Sequence, residues 1–513
     1  MPAKLVGKAA TAPPRPTQIV PVPLAELGNR CGARLAGEVQ DAGPATVTGT
    51  TLRAQQVRPG DLFAALPGAR VHGVEFVRQA LDRGAVAVLT DPAGAELVAA
   101  DVPVLVHDDP RGVLGPIAAW IYGEPATRLA VLGVTGTSGK TTTSHMIEAG
   151  LGAAGRITGL IGTVETRVAG ERLDSAFTTP EAPDLQALLA VMVERGVTHV
   201  PMEVSSHALR LGRVGGTRFA VGAFTNLSQD HLDFHSDMED YFRAKALLFD
   251  GRSERAVVCV DGDWGARLLT PETVTVSAEG AADWTATAYT TSITGEQSFV
   301  MHGPGGLVLP ATLPMPGRFN VANALVAAAC LTIAGVDPDD ILTGLATVRV
   351  PGRMERVALG QDFTAVVDYS HKPAAVALAL DALRARTSGR VIVVLGCGGD
   401  RDTVKRPLMG EAAARRSDLL IVTDDNPRGE DPAAIRAAMR AGAEDVPAEQ
   451  RGEVIDIGDR RAAIEAAVER ARPGDVVVIA GKGHETGQEI AGVVHPFNDR
   501  DELTAAIRRR TSR

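Results

Sequence analysis

The chain is poor in cysteine. Its 513 residues include four, at Cys31, Cys259, Cys330 and Cys397. Their spacing fits neither a disulfide framework nor a metal knuckle, so a reducing compartment is expected. Long apolar runs are missing as well. No stretch approaches the ~18–20 apolar residues needed to cross a bilayer. A basic excess is also lacking. The formal net charge is −10, which excludes a general nucleic-acid binder but leaves room for local loops that bind phosphate. The Pro-rich N-terminus has no apolar core of signal-peptide length, so residues 1–24 read as a disordered lead-in and the protein as cytoplasmic. Gly (55) and Pro (31) are plentiful without a period, which excludes a fibrous or repeat chain.

What is present is an ordinary globular composition, 45% hydrophobic and 22% charged, in a chain too long for one core. Short apolar runs alternate with Ala/Leu-rich helical stretches. Val86–Thr90, Leu129–Val134, Val366–Asp368, Val391–Leu395, Leu419–Thr423 and Val476–Ala480 read as strands of parallel α/β sheets. Boundaries fall near Tyr122-Gly123-Glu124-Pro125 and Val350-Pro351-Gly352-Arg353. Three α/β domains are therefore expected, over 25–125, 126–350 and 351–513. From about Thr273 to Pro316 the composition shifts to Thr, Ser, Gly and β-formers, which reads as an antiparallel excursion of the central domain.

The segment Gly133-Val134-Thr135-Gly136-Thr137-Ser138-Gly139-Lys140-Thr141-Thr142 follows an apolar run and precedes a helical one. Glycines there let backbone N–H groups close on phosphates, and the helix N-terminus adds a favourable field. Lys140 reaches the β/γ-phosphates and Thr141 a Mg²⁺ ion in such a loop. Val134 departs from the common pattern, and an ordinary strand-helix turn is the competing reading. Glu203 in Met202-Glu203-Val204-Ser205-Ser206-His207 ends an apolar strand and suits a Mg²⁺ ligand; a surface ion pair is the bland alternative. No Gly-x-Ser-x-Gly elbow surrounds the Ser-His pair, which argues against a hydrolase. Asp230, His231, Asp233 and His235 suggest a second cation site. Lys245 alone reads as a helix lysine.

The loop variant Thr-Gly-Thr-Ser-Gly-Lys-Thr-Thr resembles the ATP loop of the Mur ligase and folylpolyglutamate synthetase superfamily, and the resemblance covers nearly the whole chain. It implies an N-terminal UDP-binding domain, a central P-loop mononucleotide-binding domain and a C-terminal Rossmann-like domain. It implies ATP contacts at Thr135, Gly136, Thr137, Ser138, Gly139, Lys140, Thr141, Thr142, Asn320, Arg353, Asp368 and His371. It also implies a carbamylated Lys245 that holds Mg²⁺ with Thr141, Glu203 and His231, and it makes Lys140, Lys245, His231 and Glu203 the catalytic set. Ser370 and Lys372 depart from the family's Asp-Tyr-Ala-His-Thr-Pro segment. On the muramoyl side it implies Leu52, Thr178, Thr179, Ser205 and Arg213. There Leu52-Arg53-Ala54-Gln55 replaces the usual Leu-Asp-Ser-Arg, and Leu211 stands where many relatives carry Gln.

Three further segments each follow an apolar run: Gly396 to Asp402, Asp424 to Arg428, and Gly481 to Glu485. They should gather at the carboxyl edge of a sheet, where α/β ligands bind. Their Arg, Asn and Glu suit a zwitterion with two carboxylates and two amines. Solvated surface charge is the alternative for any one of them. Asp-Asn-Pro-Arg resembles the diaminopimelate signature of MurE-type Mur ligases. That resemblance implies contacts from Arg401, Asp425, Asn426, Pro427, Arg428, Gly481 and Glu485.

The implied activity is an ADP-forming acid–amino-acid ligation in peptidoglycan precursor synthesis. It joins diaminopimelate, meso or LL, to UDP-N-acetylmuramoyl-L-alanyl-D-glutamate, using ATP and Mg²⁺ in a monomer. A lysine-adding Mur ligase and folylpolyglutamate synthetase are the enzyme alternatives. A non-catalytic nucleotide switch is the alternative of another class; the retained Lys140, Glu203, His231 and Lys245 argue against it.

Overall fold

The structure is a computed structural model that describes residues 14–36, 45–68, 70–98, 101–173, 178–232, 234–292, 296–400 and 402–512. Asp233 and Arg401 lie outside the described residues. The chain resolves into two compact units. One holds 11–276 with 326–344, and the other holds 277–325 with 345–513.

The first unit carries two sheets. The smaller runs Arg34–Ala36, Val104–Val106, Ala87–Thr90, Asp61–Ala64, Gly49–Thr51, parallel except at its first pairing. The larger has eight strands, with Ala130–Thr135 between His199–Glu203 and Phe219–Phe224, all parallel. A hairpin, Thr166–Val168 with Glu171–Leu173, extends one edge antiparallel. Helix Ala182–Glu194 buries Leu185, Leu189 and Met192 against Val131, Val200 and Met202 of this sheet. The same helix turns Ala187 and Ala190 toward the core of the N-terminal sheet, so both sheets share it.

The Pro-rich lead-in is shorter than the sequence suggests. Arg15 pairs with the buried Asp61 at 2.5 Å, Val22–Pro23 pairs with Thr46–Val47, and Leu24 starts a helix with its side chain buried. A partner 46 residues away leaves no local signature, so composition alone misreads 14–24.

The second unit carries an antiparallel three-stranded sheet, Thr285–Thr291, Gln297–Gly303 and Leu307–Leu313, within the stretch read as an antiparallel excursion. It also carries a six-stranded sheet: Glu355–Arg356, Thr364–Asp368, Val476–Ala480, Val391–Leu395, Leu419–Val422, Glu453–Asp456. The inner strands Val476–Ala480, Val391–Leu395 and Leu419–Val422 are apolar throughout because both faces are covered. Val391, Val393 and Leu395 face a core shared with helices Pro373–Arg384, Lys405–Ala414 and Pro432–Glu444. Ile392 and Val394 face the opposite core, against helices Arg460–Arg470 and Asp499–Thr511.

Among the described residues no helix is long and apolar enough to cross a membrane.

Candidate active site

Parallel pairing sets the loop ends of the central strands level. Glu203 pairs with Val134, and Phe224 with Thr135. The residues just beyond each strand therefore surround the glycine loop. Gly136 adopts φ +146°, and a Cβ there would lie 2.0 Å from Thr225 Oγ1, so the loop needs glycine at that point. The helix Lys140–Ala153 opens behind Gly139 with no side-chain cap, which leaves first-turn N–H groups for an anion. Thr225 Oγ1 donates to Ser138 O at 2.6 Å, and Ser138 N donates to Asn226 Oδ1 at 3.0 Å. These bonds from Thr225 and Asn226 fix the shape of the loop. Lys140 Nζ is folded back onto Gly136 O (2.9 Å) and Thr137 O (3.1 Å).

Glu203 is buried and carries three contacts. Thr141 Oγ1 donates to it at 2.9 Å, Thr163 N at 2.8 Å and Thr163 Oγ1 at 3.0 Å. Thr141 and Glu203 therefore form an all-oxygen pair beside the loop, the donor chemistry Mg²⁺ takes together with water and phosphate oxygens. Thr163, unmentioned by any motif, is the residue that aims the carboxylate.

Lys245 is fully buried. Its Nζ donates to Gly136 O at 2.8 Å and lies 4.5 Å from the centre of the Tyr241 ring. The Tyr241 hydroxyl meets Thr137 Oγ1 at 3.1 Å, and burial pushes its phenol well above the usual range. His231 has φ +54° and pairs with Asp230 Oδ2 at 3.1 Å, with its ring 4.9 Å from His207. Among the described residues no three His, Cys, Asp or Glu side chains converge as a metal cluster. The expected set is thus part assembled: Thr141 and Glu203 touch, Lys245 meets the glycine loop, and His231 leans on Asp230.

The muramoyl candidates lie on the same unit. Thr178 Oγ1 meets Thr163 Oγ1 at 2.9 Å, and Thr179 Oγ1 donates to Glu203 O at 2.9 Å. Ser205 caps the next helix by accepting from Ala208 N at 3.1 Å. Arg213 pairs with Glu181 at 2.8 Å. Glu181 in turn lines a cavity of about 340 Å³ with Leu52, Arg53, Phe63 and Arg111. Arg53 stands in the segment that departs from the family's usual residues. It reaches Asp184 at 3.4 Å, a contact no motif signalled.

On the second unit, Asp368 Oδ2 accepts from Met354 N at 2.7 Å, and Oδ1 accepts from Ser370 N at 2.9 Å. Arg353 stacks over the Tyr369 ring at 4.5 Å. His371 Nδ1 donates to Tyr369 O at 2.8 Å. Burial, then the charges of Lys372 and Lys405, drive its pKa down to about 3, so the ring stays neutral. Asn320 is buried and donates to Pro316 O at 2.7 Å.

Register also gathers the three polar loops: Asp368 pairs with Ala480, Ala480 with Leu395, and Leu395 with Val422. Asn426 Nδ2 donates to Glu485 Oε2 at 2.8 Å, and Gly399 N donates to Asn426 O at 2.9 Å. Gly481 has φ +111°, and a Cβ there would lie 2.6 Å from Asp425 Oδ2. Arg428 adopts φ +53° just after Pro427, and its Nη1 donates to Gly399 O at 2.7 Å. The structure thus unites Asp425, Asn426, Pro427, Arg428, Gly481 and Glu485. It adds Lys482, which the loop motif contained but to which no role was assigned.

Three family models cover most of the chain: "Mur ligase family, catalytic domain" over 46–122, "Mur ligase middle domain" over 134–331 and "Mur ligase, glutamate ligase domain" over 352–483. The chain is 55% identical to the UDP-N-acetylmuramoyl-L-alanyl-D-glutamate--2,6-diaminopimelate ligase of Streptomyces coelicolor, over 97% of this chain and 98% of that protein. It is 54% identical to the protein of the same name in Corynebacterium glutamicum, over 87% of this chain and 89% of that one. A solved structure, also of a UDP-N-acetylmuramoyl-L-alanyl-D-glutamate--2,6-diaminopimelate ligase, superposes with a TM-score of 0.67 at 32% identity, covering 96% of this chain and all of the other. With family models over most of its length and a relative 55% identical across 97% of it, the chain belongs to the Mur ligase family.

Proposed function

We propose that this chain joins 2,6-diaminopimelate to UDP-N-acetylmuramoyl-L-alanyl-D-glutamate with cleavage of ATP to ADP and phosphate, in the cytoplasm, as a step of peptidoglycan precursor synthesis. The supporting observation is the Asn426–Glu485 pair beside Arg428 at the C-terminal sheet edge, in a chain 55% identical to a diaminopimelate ligase. A guanidinium, an amide N–H and a carboxylate side by side match an amino-acid end that carries both charges.

ATP binds at Gly136–Thr142, with Asn320, Arg353, Asp368 and His371 as further nucleotide contacts. The D-glutamate carboxylate attacks the γ-phosphorus, its oxygen–phosphorus bond forms as the bond to ADP breaks, and an acyl phosphate results. The neutral amine of the diamino acid then attacks the acyl carbon. Phosphate leaves from the tetrahedral intermediate, and the nitrogen gives up its proton. Thr141 and Glu203 are the residues that would hold Mg²⁺, with Lys245 as its carbamate and His231 nearby; the ion, when bound, neutralises phosphoryl charge. Lys140, beside the loop carbonyls of Gly136 and Thr137, follows charge onto the transferring group. Thr178, Thr179, Ser205 and Arg213, with the cavity beside Leu52, take the UDP-muramoyl dipeptide. No protein nucleophile is required, because the chain's task is positioning and charge neutralisation.

The test is phosphate release with the UDP-dipeptide, offering diaminopimelate, lysine and glutamate in turn. Release that depends on diaminopimelate, and falls by at least about 10²-fold in Lys140→Ala with folding intact, is expected. Equal release with lysine, or near-normal turnover of the variant, rejects the reading.

A further inference from the structure

Lys482 is a lysine with no solvent exposure. Its Nζ donates to Asn426 Oδ1 at 3.0 Å and to Glu485 Oε2 at 2.8 Å, with Asp425 Oδ1 at 3.9 Å. A buried ammonium requires such partners, since an unpaired charge removed from water is strongly disfavoured. The ammonium in turn constrains each of those partners.

A carboxamide has one face that accepts and one that donates, and the two are easily interchanged. At Asn426 they are not interchangeable. Its oxygen accepts from Lys482 Nζ and, at 2.9 Å, from Glu489 N. Both are donors only, so a flipped amide would set NH₂ against two donors. One Nδ2 hydrogen goes to Glu485 Oε2. The second Nδ2 hydrogen remains. Glu485 is placed by the same cation: Oε2 takes both Lys482 and Asn426, while Oε1 makes no hydrogen bond among the described residues. The pair therefore presents a donor beside an anionic acceptor.

That order of charges complements one end of a diamino acid. The attacking amine must be neutral, so the ammonium and carboxylate held together belong to the end that does not react. At such an end a carboxylate oxygen would accept from Asn426 Nδ2 and an ammonium would donate to Glu485 Oε1. We propose that Lys482 is a positioning residue that fixes the polarity of this subsite, turning Asn426 to donate and Glu485 to accept toward the non-reacting end of the substrate. The inference rests on the reading of Asn426 and Glu485 as diaminopimelate contacts.

The test uses the full-length enzyme with Lys482→Met, Lys482→Gln and Glu485→Gln. KM is measured separately for diaminopimelate, ATP and the UDP-dipeptide, alongside thermal melting. Loss of the polarity should raise KM for diaminopimelate about 10- to 100-fold in Lys482→Met, with the other two KM values within about twofold. Lys482→Gln keeps a neutral donor of similar length and should raise it by a smaller factor; it also carries the test if the Met variant does not fold. A diaminopimelate KM unchanged in the folded lysine variants, with Glu485→Gln raised at least about tenfold, overturns the role of Lys482 and leaves the pocket standing. An unchanged KM in Glu485→Gln overturns the pocket itself. A lysine variant whose three KM values rise together marks Lys482 as structural and overturns the proposal.

Discussion

Arg428 offers the sharpest separation of diaminopimelate from lysine, because the two amino acids differ by one terminal carboxylate. Its backbone is held firmly: Arg428 N donates to Glu489 O at 3.0 Å, and Ala491 N donates to Arg428 O at 2.7 Å. One guanidinium nitrogen is tied to Gly399 O, and Nε lies 3.4 Å from Glu489 Oε2. Nη2 makes no hydrogen bond among the described residues, so the fork keeps a donor edge for a ligand. Arg428→Ala removes that edge. Hydrogen bonds to charged groups contribute about 1.5–3 kcal/mol, so kcat/KM for diaminopimelate should fall roughly 10- to 150-fold. The loss of the Gly399 contact should cost the fold only about 1 kcal/mol. The half-exposed pairing with Glu489 adds little. Alanine at φ +53° is no easier than arginine, so backbone strain cancels in the comparison. Arg428→Lys should not restore activity, since a point charge cannot fork. The assay is kcat/KM for diaminopimelate and for lysine in parent and variant. A fall by the same factor for both amino acids refutes the assignment.

Lys245→Ala should be nearly inactive and partly rescued by short carboxylic acids; a bare ammonium beside bound Mg²⁺ and nucleotide in a high-resolution map refutes the carbamate. His371 has a folded pKa near 3 against an ordinary 6.5. The unfolded chain therefore takes up a proton that the folded chain refuses, and the cost is absent above about pH 7.5 and grows toward pH 3. His371→Gln should gain on the parent as pH falls, by at most about 1.4 kcal/mol per unit; a melting-temperature difference that does not vary between pH 7 and pH 5 contradicts this. Arg460 and Asp499 form a fully buried pair at 2.7 Å. Arg460→Met should cost about 3–5 kcal/mol in denaturant unfolding, and Arg460→Met with Asp499→Leu should recover most of it; equal losses in the single and double variants reject the charge argument.

The glycine loop was legible because its demands are local. A tight turn needs Gly136, which stands between an apolar strand and the helix that Lys140 opens. The fully buried strands, such as Val391–Leu395, were legible for a similar reason: two covered faces leave no polar position. The supporting residues were not legible. Thr163 sits 40 residues from Glu203, and Tyr241 104 from Thr137, and nothing near either marks the contact. Lys482 was visible in its motif but chemically ambiguous, since a lysine between glycines reads as solvated until Asn426, 56 residues away, is placed against it.

The sheet explains why polar residues so far apart in sequence meet. Pairing of Asp368, Ala480, Leu395 and Val422 levels four strand ends, so the first residues beyond each must share one edge. A slip of one residue would exchange the two faces of a strand and is opposed by both cores. Position after the strand end then decides what each residue can do. Gly481, the first beyond Ala480, must pass Asp425 without a side chain, and Lys482, the second, drops into the buried cage. At the same edge Asp400 (φ +51°) and Arg428 (φ +53°) hold left-handed conformations without being glycine. Such residues cost energy and persist where surroundings over-determine them. Here Asp400 N donates to Glu430 Oε1 at 2.5 Å and Gly429 N donates to Asp400 Oδ2 at 3.0 Å, so the two strained turns brace each other. Glycine at either position would relax its turn, so the bracing between the two turns is what fixes where the Arg428 side chain starts.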